Sequence, residues 1–235
     1  MSTRFHDALH EAALPLIMEV KPRSADGVDL LGGRSLSEIV NAYEQAQAPC
    51  ISVVTGKWFG GTPQLVADVR SRTDLPILRK DFITRRSQLE QTVELGGDAV
   101  LLTAQLLPSE ALLRLAREAL ECGLTPFIEV VSAKEIAAVR HVAQQSIVAV
   151  NNKDIRTQER EAADLDRSRR LLSAVLETGC ALPVSASGID TPEDARKVLS
   201  WGYRGLLVGT ALLDAVQLDV WSDIGSIRAG NGIHD

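Results

Sequence analysis

Eight short apolar runs, each followed by a longer amphipathic stretch, succeed one another between Leu14 and about Gln217, and this alternation limits the fold more than any other feature. The runs are Leu16 to Lys21, Cys50 to Thr55, Pro76 to Leu78, Ala99 to Thr103, Pro126 to Val131, Ile147 to Val150, Pro183 to Ser185 and Gly205 to Val208. Several are apolar almost throughout, as parallel strands covered on both faces must be, whereas a half-wet antiparallel sheet would alternate. Helices must therefore cover the sheet. The stretches between begin with N-cap chemistry: Ser35 with Glu38, Pro108-Ser109-Glu110, Ser132 before Ala133-Lys134-Glu135, and Thr191-Pro192-Glu193. They stop at Gly96-Gly97, Gly123, Gly179 and Gly202, each placed where a helix needs a residue of positive φ.

Eight strand–helix units in 235 residues favour a single closed (β/α)8 (TIM) barrel, with an open doubly wound sheet as the alternative. Nothing interrupts the series to suggest a second domain. The reading divides the chain into a short N-terminal helical extension (1–14), the barrel (15–222) and a tail (223–235) expected to fray. No G-x-G-x-x-G follows the first strand and no G-x-x-x-x-G-K-[ST] occurs, so the usual dinucleotide and P-loop signals are absent. A formal net charge of -6 provides no global field for a nucleic-acid backbone, so any anion must be held by local groups. Lacking a membrane-length apolar run or a signal-peptide pattern, the chain is expected to be cytoplasmic, with no nucleic-acid or membrane partner. Cys50, Cys122 and Cys180 stand apart among apolar neighbours and read as small buried thiols.

In such a barrel, chemistry sits at the C-terminal ends of the strands. There the sequence places Glu19 and Lys21 on the first, Lys80 after the third, Glu129 on the fifth and Asn151 on the sixth. Strand alternation puts Glu19 and Lys21 on one side. Glu129 stands in an apolar strand, where an unpaired charge is costly. Each residue alone is equally well read as half of an ion pair between strand ends. As a set they suit acid–base chemistry, since a lysine and a carboxylate in one dry pocket shift each other's pKa. His6 and His10 share a helical face, His141 closes a helix and His234 lies in the tail, so all four histidines read as surface groups. Ser187-Gly188-Ile189 and Gly209-Thr210-Ala211 follow the last two strands, where glycine lets a phosphate approach exposed N–H groups.

Taken in order, the motifs resemble those of the indole-3-glycerol phosphate synthase family from Leu14 to Leu213. Glu19-Val20-Lys21-Pro22-Arg23-Ser24 is similar to the family's E-x-K-x-x-S opening. Ile51-Ser52-Val53-Val54-Thr55 through Phe59-Gly60-Gly61 matches its second strand and loop, and Leu78-Arg79-Lys80-Asp81-Phe82-Ile83 its L-R-K-D-F-I run. Gly97-Asp98-Ala99-Val100-Leu101-Leu102, Ile128-Glu129-Val130 and Val150-Asn151-Asn152-Lys153-Asp154 follow. The resemblance implies a lyase of tryptophan biosynthesis that closes the indole ring of 1-(2-carboxyphenylamino)-1-deoxyribulose 5-phosphate, losing carbon dioxide and water, without metal or organic cofactor. It implies Lys80 as general acid on the ketone oxygen and Glu129 as the acid–base group of the later proton removal and dehydration. Lys21 would hold the anthranilate carboxylate or act as a second acid, Glu19 would orient the lysines, and Asn151 would bond the sugar hydroxyls. Phe59 and Phe82 would wall the aromatic end, with Ser24, Lys153, Ser187, Gly188, Gly209 and Thr210 around the phosphate. A small phosphorylated substrate, and a monomer or weak homo-oligomer, are expected.

Four departures stand out. Ser185-Ala186-Ser187-Gly188-Ile189 replaces the family's S-E-S-G-I, so a mouth carboxylate is missing at Ala186. Asp26 brings a carboxylate into the first loop, and Lys153 replaces an arginine, keeping charge without the bidentate fork. The segment before Pro15 is shorter than the family's helical extension, which implies a more open mouth. Ala186 keeps two alternatives in view: a related phosphosugar lyase or isomerase with another substrate, and a catalytically silent ligand-binding barrel.

Overall fold

A computed structural model of the chain describes residues 3–155, 162–214 and 218–230, the side chains of 225–230 excepted. Eight parallel strands close into a barrel in chain order: β1 (Leu16–Val20), β2 (Cys50–Val54), β3 (Ile77–Lys80), β4 (Ala99–Thr103), β5 (Thr125–Val130), β6 (Ile147–Asn151), β7 (Pro183–Ala186) and β8 (Gly205–Val208). Closure is made by β1 against β8, with Leu16 opposite Leu206 and Met18 opposite Val208. Around the barrel lie α2 (Leu36–Gln45), α3 (Gln64–Arg70), α4 (Arg86–Glu94), α5 (Ser109–Glu121), α6 (Ala133–Ala138), α7 (Leu165–Glu177), α8 (Pro192–Trp201) and the short α9 (Thr210–Asp214), preceded by α1 (Arg4–Glu11). The (β/α)8 fold is as expected; the limits of the fourth and eighth strands coincide with the sequence reading and the others differ by one or two residues.

Helix starts follow their sequence signals, with one exception. Ser35 and Glu38 form a reciprocal capping box, and Ser132 and Thr191 each accept a hydrogen bond from the third helical N–H. The Ser109 helix instead begins after Pro108 without a side-chain cap. Pro108 cannot supply one, and its ring already leads an extended residue into the first turn. His141 does not close a helix either, since α6 ends at Ala138. Cys50 and Cys180 are buried and Cys122 is partly so; burial pushes the Cys50 and Cys180 thiols up, away from thiolate reactivity.

Two apolar clusters build the fold. The larger joins the outer faces of the strands to the helices. The smaller fills the barrel with Ile17, Cys50, Leu78, Leu101, Phe127, Ala149, Val184 and Leu207 among others, and includes Phe5 and Leu9 of α1. Helix α1 thus closes the end of the barrel away from the strand C-termini. The Cys50 thiol donates to the Phe5 carbonyl at 3.7 Å, and the Leu9 side chain abuts Gly205 at the start of β8. Phe5→Ala is expected to destabilise the protein by about 3–5 kcal/mol, read from denaturant midpoints, because it empties a site enclosed on every side. His6 and His10 stack on the outer face of the same helix, with ring centroids 6.1 Å apart.

At the other end of the chain, Asp219–Gly230 run as 3-10 turns that bury Trp221 and Ile224. Residues 231–235 of the tail, and with them His234, lie outside the described residues. Among the described residues no helix is long and apolar enough to cross a membrane.

Candidate active site

The strand C-termini bring the charged residues together. Glu19 on β1 and Lys21, the residue just beyond its end, both face the mouth, as continued alternation would place them. The Glu19 carboxylate lies 3.2 Å from Lys80 Nζ and 3.9 Å from Lys21 Nζ, and accepts a hydrogen bond from Ser52 Oγ at 3.3 Å. It is 2% exposed. Burial alone would push this carboxyl up, but the ammonium groups of Lys80 and Lys21 outweigh it and hold it below the ordinary value of 4.5.

A carboxyl depressed by folding contributes stability that is present above its unfolded value and is lost as pH falls through its lower folded value. The difference in denaturant midpoint between the wild type and Glu19→Gln is therefore expected to stay constant down to about pH 5 and to narrow below it. A difference that holds unchanged in acid would refute this account of Glu19 and its two lysines.

Across the mouth, Glu129 Oε1 accepts a hydrogen bond from Asn151 Nδ2 at 2.8 Å, and both side chains are buried. Asn151 is held in turn, since its Oδ1 accepts from the Lys153 N–H and its carbonyl from Arg167. Lys80 is positioned from behind by its neighbours in sequence. Arg79 points outward from β3, is almost wholly buried, and donates to Asp81 Oδ2 at 3.0 Å, to Gln91 Oε1 at 3.0 Å and to the Gln88 carbonyl on α4. Asp81 also accepts from Thr55 Oγ1 at 2.8 Å and from the Phe82 N–H at 2.8 Å, so the turn carrying Phe82 is tied to β2 and β3 together.

The cleft has two ends that share Lys21 and Lys80. One end, about 410 Å³ and open to solvent, is walled by Phe59, Phe82, Val54, Leu101 and Ile155, with Glu129 and Thr103 at its side. Lys21 Nζ stands 5.4 Å from the Phe59 ring centroid, and the exposed Trp58 meets Phe82 edge to face at 5.3 Å. The other end, about 550 Å³, is bordered by Glu19, Lys153, Ser187, Gly188, Asp190, Gly209 and Thr210. Three ammonium groups there face two carboxylates, an arrangement that suits an anion.

Most residues expected from the sequence converge on this cleft, and some differ in what they do there. The Ser24 hydroxyl accepts from the Val28 N–H at 3.1 Å within its own loop, and Ser24 is not on the wall of either end. Gly209 has a second reason to be glycine: a β-carbon there would lie 2.5 Å from Glu19 Oε1. Ala186 is fully buried in the barrel interior, beside Asn151 on one strand and Leu207 on the next. Asp26 is exposed in the first loop. The sequence reading passed over Arg79, Asp81, Ser52 and Trp58. For Arg79 and Asp81 the available signal was a run of charges continuing an apolar strand, where each must find a partner.

The family model described as indole-3-glycerol phosphate synthase matches residues 1–221. The chain is 34% identical over 213 residues to the indole-3-glycerol phosphate synthase of Halalkalibacterium halodurans, covering 89% of this chain and 81% of that one. It is 36% identical over 200 residues to the synthase of Pyrococcus abyssi, covering 85% of each. The tryptophan biosynthesis protein TrpCD of Archaeoglobus fulgidus is also 36% identical over 200 residues, and this chain spans 35% of that longer protein.

Proposed function

Because the chain belongs to the indole-3-glycerol phosphate synthase family, we propose that it closes the indole ring of 1-(2-carboxyphenylamino)-1-deoxyribulose 5-phosphate as a step of tryptophan biosynthesis. The observation that carries this reading is a lysine and a glutamate, Lys80 and Glu129, on the wall of one aromatic-lined pocket that runs into an anion-lined one. That shape suits a substrate with an aryl group at one end and a phosphate at the other.

In this reading the aryl group lies against Phe59 and Phe82, and Lys21 faces its carboxylate. The ring carbon bearing the carboxylate attacks the ketone carbon while Lys80 gives its proton to the ketone oxygen. Carbon dioxide then leaves with its bonding electrons retained by the ring. The new hydroxyl then departs as water with a proton given by Lys21 as the second acid, while Glu129 takes the proton from the carbon beside the nitrogen, which completes the indole. Glu19 keeps Lys80 charged until the transfer, because a neighbouring carboxylate stabilises the ammonium form. Asn151 lines neither end of the cleft and is held by Glu129 and the Lys153 N–H, so it would reach the sugar hydroxyls only through its remaining Nδ2 hydrogen; Lys153, Ser187, Gly188, Gly209 and Thr210 surround the phosphate. We assign the protein to the cytoplasm as a monomer or weak homo-oligomer acting without nucleic acid or membrane.

Incubating the purified protein with this substrate and following indole fluorescence, with binding measured in parallel, tests the proposal. Turnover is expected. Tight binding without turnover would favour a silent barrel, the reading that rests on Ala186, and neither binding nor turnover would favour a different phosphosugar.

A further inference from the structure

The loop after β7 contains a backbone feature that its own residues do not explain. Ser187 has φ +66° and is followed by Gly188 at φ +67°. Glycine adopts this region freely, but for serine the β-carbon crowds the carbonyl oxygen, so something must hold the residue there. Gly188 is additionally confined, since a β-carbon on it would collide with Ala163. Both residues border the anion end of the cleft.

Asn152, the residue after Asn151, meets the strained one. Its side chain points out of the barrel, is fully buried, and uses all of its hydrogen-bonding capacity. Nδ2 donates to the Ser187 carbonyl at 3.0 Å and to Ser185 Oγ at 3.0 Å. Oδ1 accepts from Ser168 Oγ at 2.8 Å and from the Ser168 N–H at 3.2 Å at the start of α7. Ser168 and Ser185 are also fully buried and share a 2.8 Å hydrogen bond. The network has no polar atom left over to serve a ligand, and only its Ser187 arm reaches the cleft.

We propose that Asn152 is a positioning residue: its bond to the Ser187 carbonyl holds that residue left-handed, and so sets the direction in which the N–H groups of the Ser187-Gly188-Ile189 turn are presented to phosphate. Because Asn152 lies between Asn151 and Lys153, the same residue keeps the anion turn in register with the strand end that carries the sugar-binding and cationic groups. The inference rests on the reading of this end of the cleft as a phosphate site.

The test is a double-mutant cycle between Asn152→Ala and Ser187→Gly in the full chain. Inorganic phosphate affinity is measured by titration calorimetry, and KM and kcat with the carboxyphenylamino substrate. Asn152→Ala is expected to weaken phosphate binding and raise KM about tenfold while kcat changes less than about twofold, since the strain it releases acts on binding. In the Ser187→Gly background the same substitution is expected to cost less than about twofold, because glycine needs no help to be left-handed. Ser168→Ala, which leaves both Asn152 donors and the Ser168 N–H in place, is expected to stay within about twofold of wild type. Equal losses in both backgrounds, or a fall in kcat with phosphate affinity intact, would overturn the proposal. Asn152→Ser offers a hydroxyl to Ser168 but is too short for the Ser187 carbonyl, and carries the same cycle should the alanine variant not fold. Phosphate binding without turnover in the wild type would count against the reaction and leave the cycle readable. No phosphate binding at all would defeat the inference itself.

Discussion

Lys80→Met is expected to lower kcat for indole formation by about three powers of ten while leaving a folded protein. Methionine matches most of the lysine stem, so the packing against the cleft wall survives and the change is confined to a proton and a charge. The reaction needs that proton as the ketone oxygen gains charge, and water is a poor replacement in a pocket walled by Phe59, Phe82, Val54 and Leu101. Glu19 would then retain Lys21 at 3.9 Å as its remaining ammonium partner among the described contacts, so its carboxyl should rise toward the ordinary range. Substrate affinity should fall several-fold as well, because Lys80 also borders the anion end. Circular dichroism and thermal midpoint near wild type, with turnover lost, are the expected pair of results. Unchanged turnover would remove Lys80 from the proposed chemistry.

Glu129→Gln should be comparably severe, by about 10²–10⁴-fold in kcat, but should fail later in the reaction. The amide oxygen replaces Oε1 as acceptor for Asn151 Nδ2, so the hydrogen bond at 2.8 Å has a ready substitute and the pocket keeps its shape. What disappears is a group able to take a proton. If Lys80 drives ring closure and Glu129 acts at the dehydration, rapid-quench experiments with substrate labelled in its carboxylate will release carbon dioxide in the first turnover while indole absorbance lags. Simultaneous loss of both signals would move Glu129 to the first step. Both variants have to be compared at saturating substrate, because only that comparison separates chemistry from the binding contributed by Lys21 and Lys153.

The strands were legible because burial on both faces leaves few residue types available to them. Legibility failed where polar side chains are buried. The third apolar run stops at Leu78, yet the strand continues to Lys80, with the Arg79 guanidinium enclosed by Asp81, Gln88 and Gln91. The same limit applies to function. Residue type and strand position were enough to gather Glu19, Lys21, Lys80, Glu129 and Asn151 at one end of the barrel, but not to say which atoms pair. Ser24 sits beside the right motif, and its hydroxyl answers its own loop instead. Gly209 reads as space for a phosphate, and the nearest atom to its missing side chain is a Glu19 oxygen. An amphipathic pattern in residues 4–11 says that one face is buried, and not that it is buried in the barrel floor.

That floor also orders events in time. Leu9 rests on Gly205, and the barrel itself closes only when Leu16 pairs with Leu206, so α1 has no complete seat until the last strand has arrived. Residues 4–11 leave the ribosome well before their partners exist, and must wait with Phe5 and Leu9 in water or in passing contacts. Contacts this far apart in sequence are slow to form, because the entropy of closing the intervening chain is lost before they return anything. The docking of α1 is thus a late, locking event: it should add little to the speed of folding and much to the time the closed barrel survives.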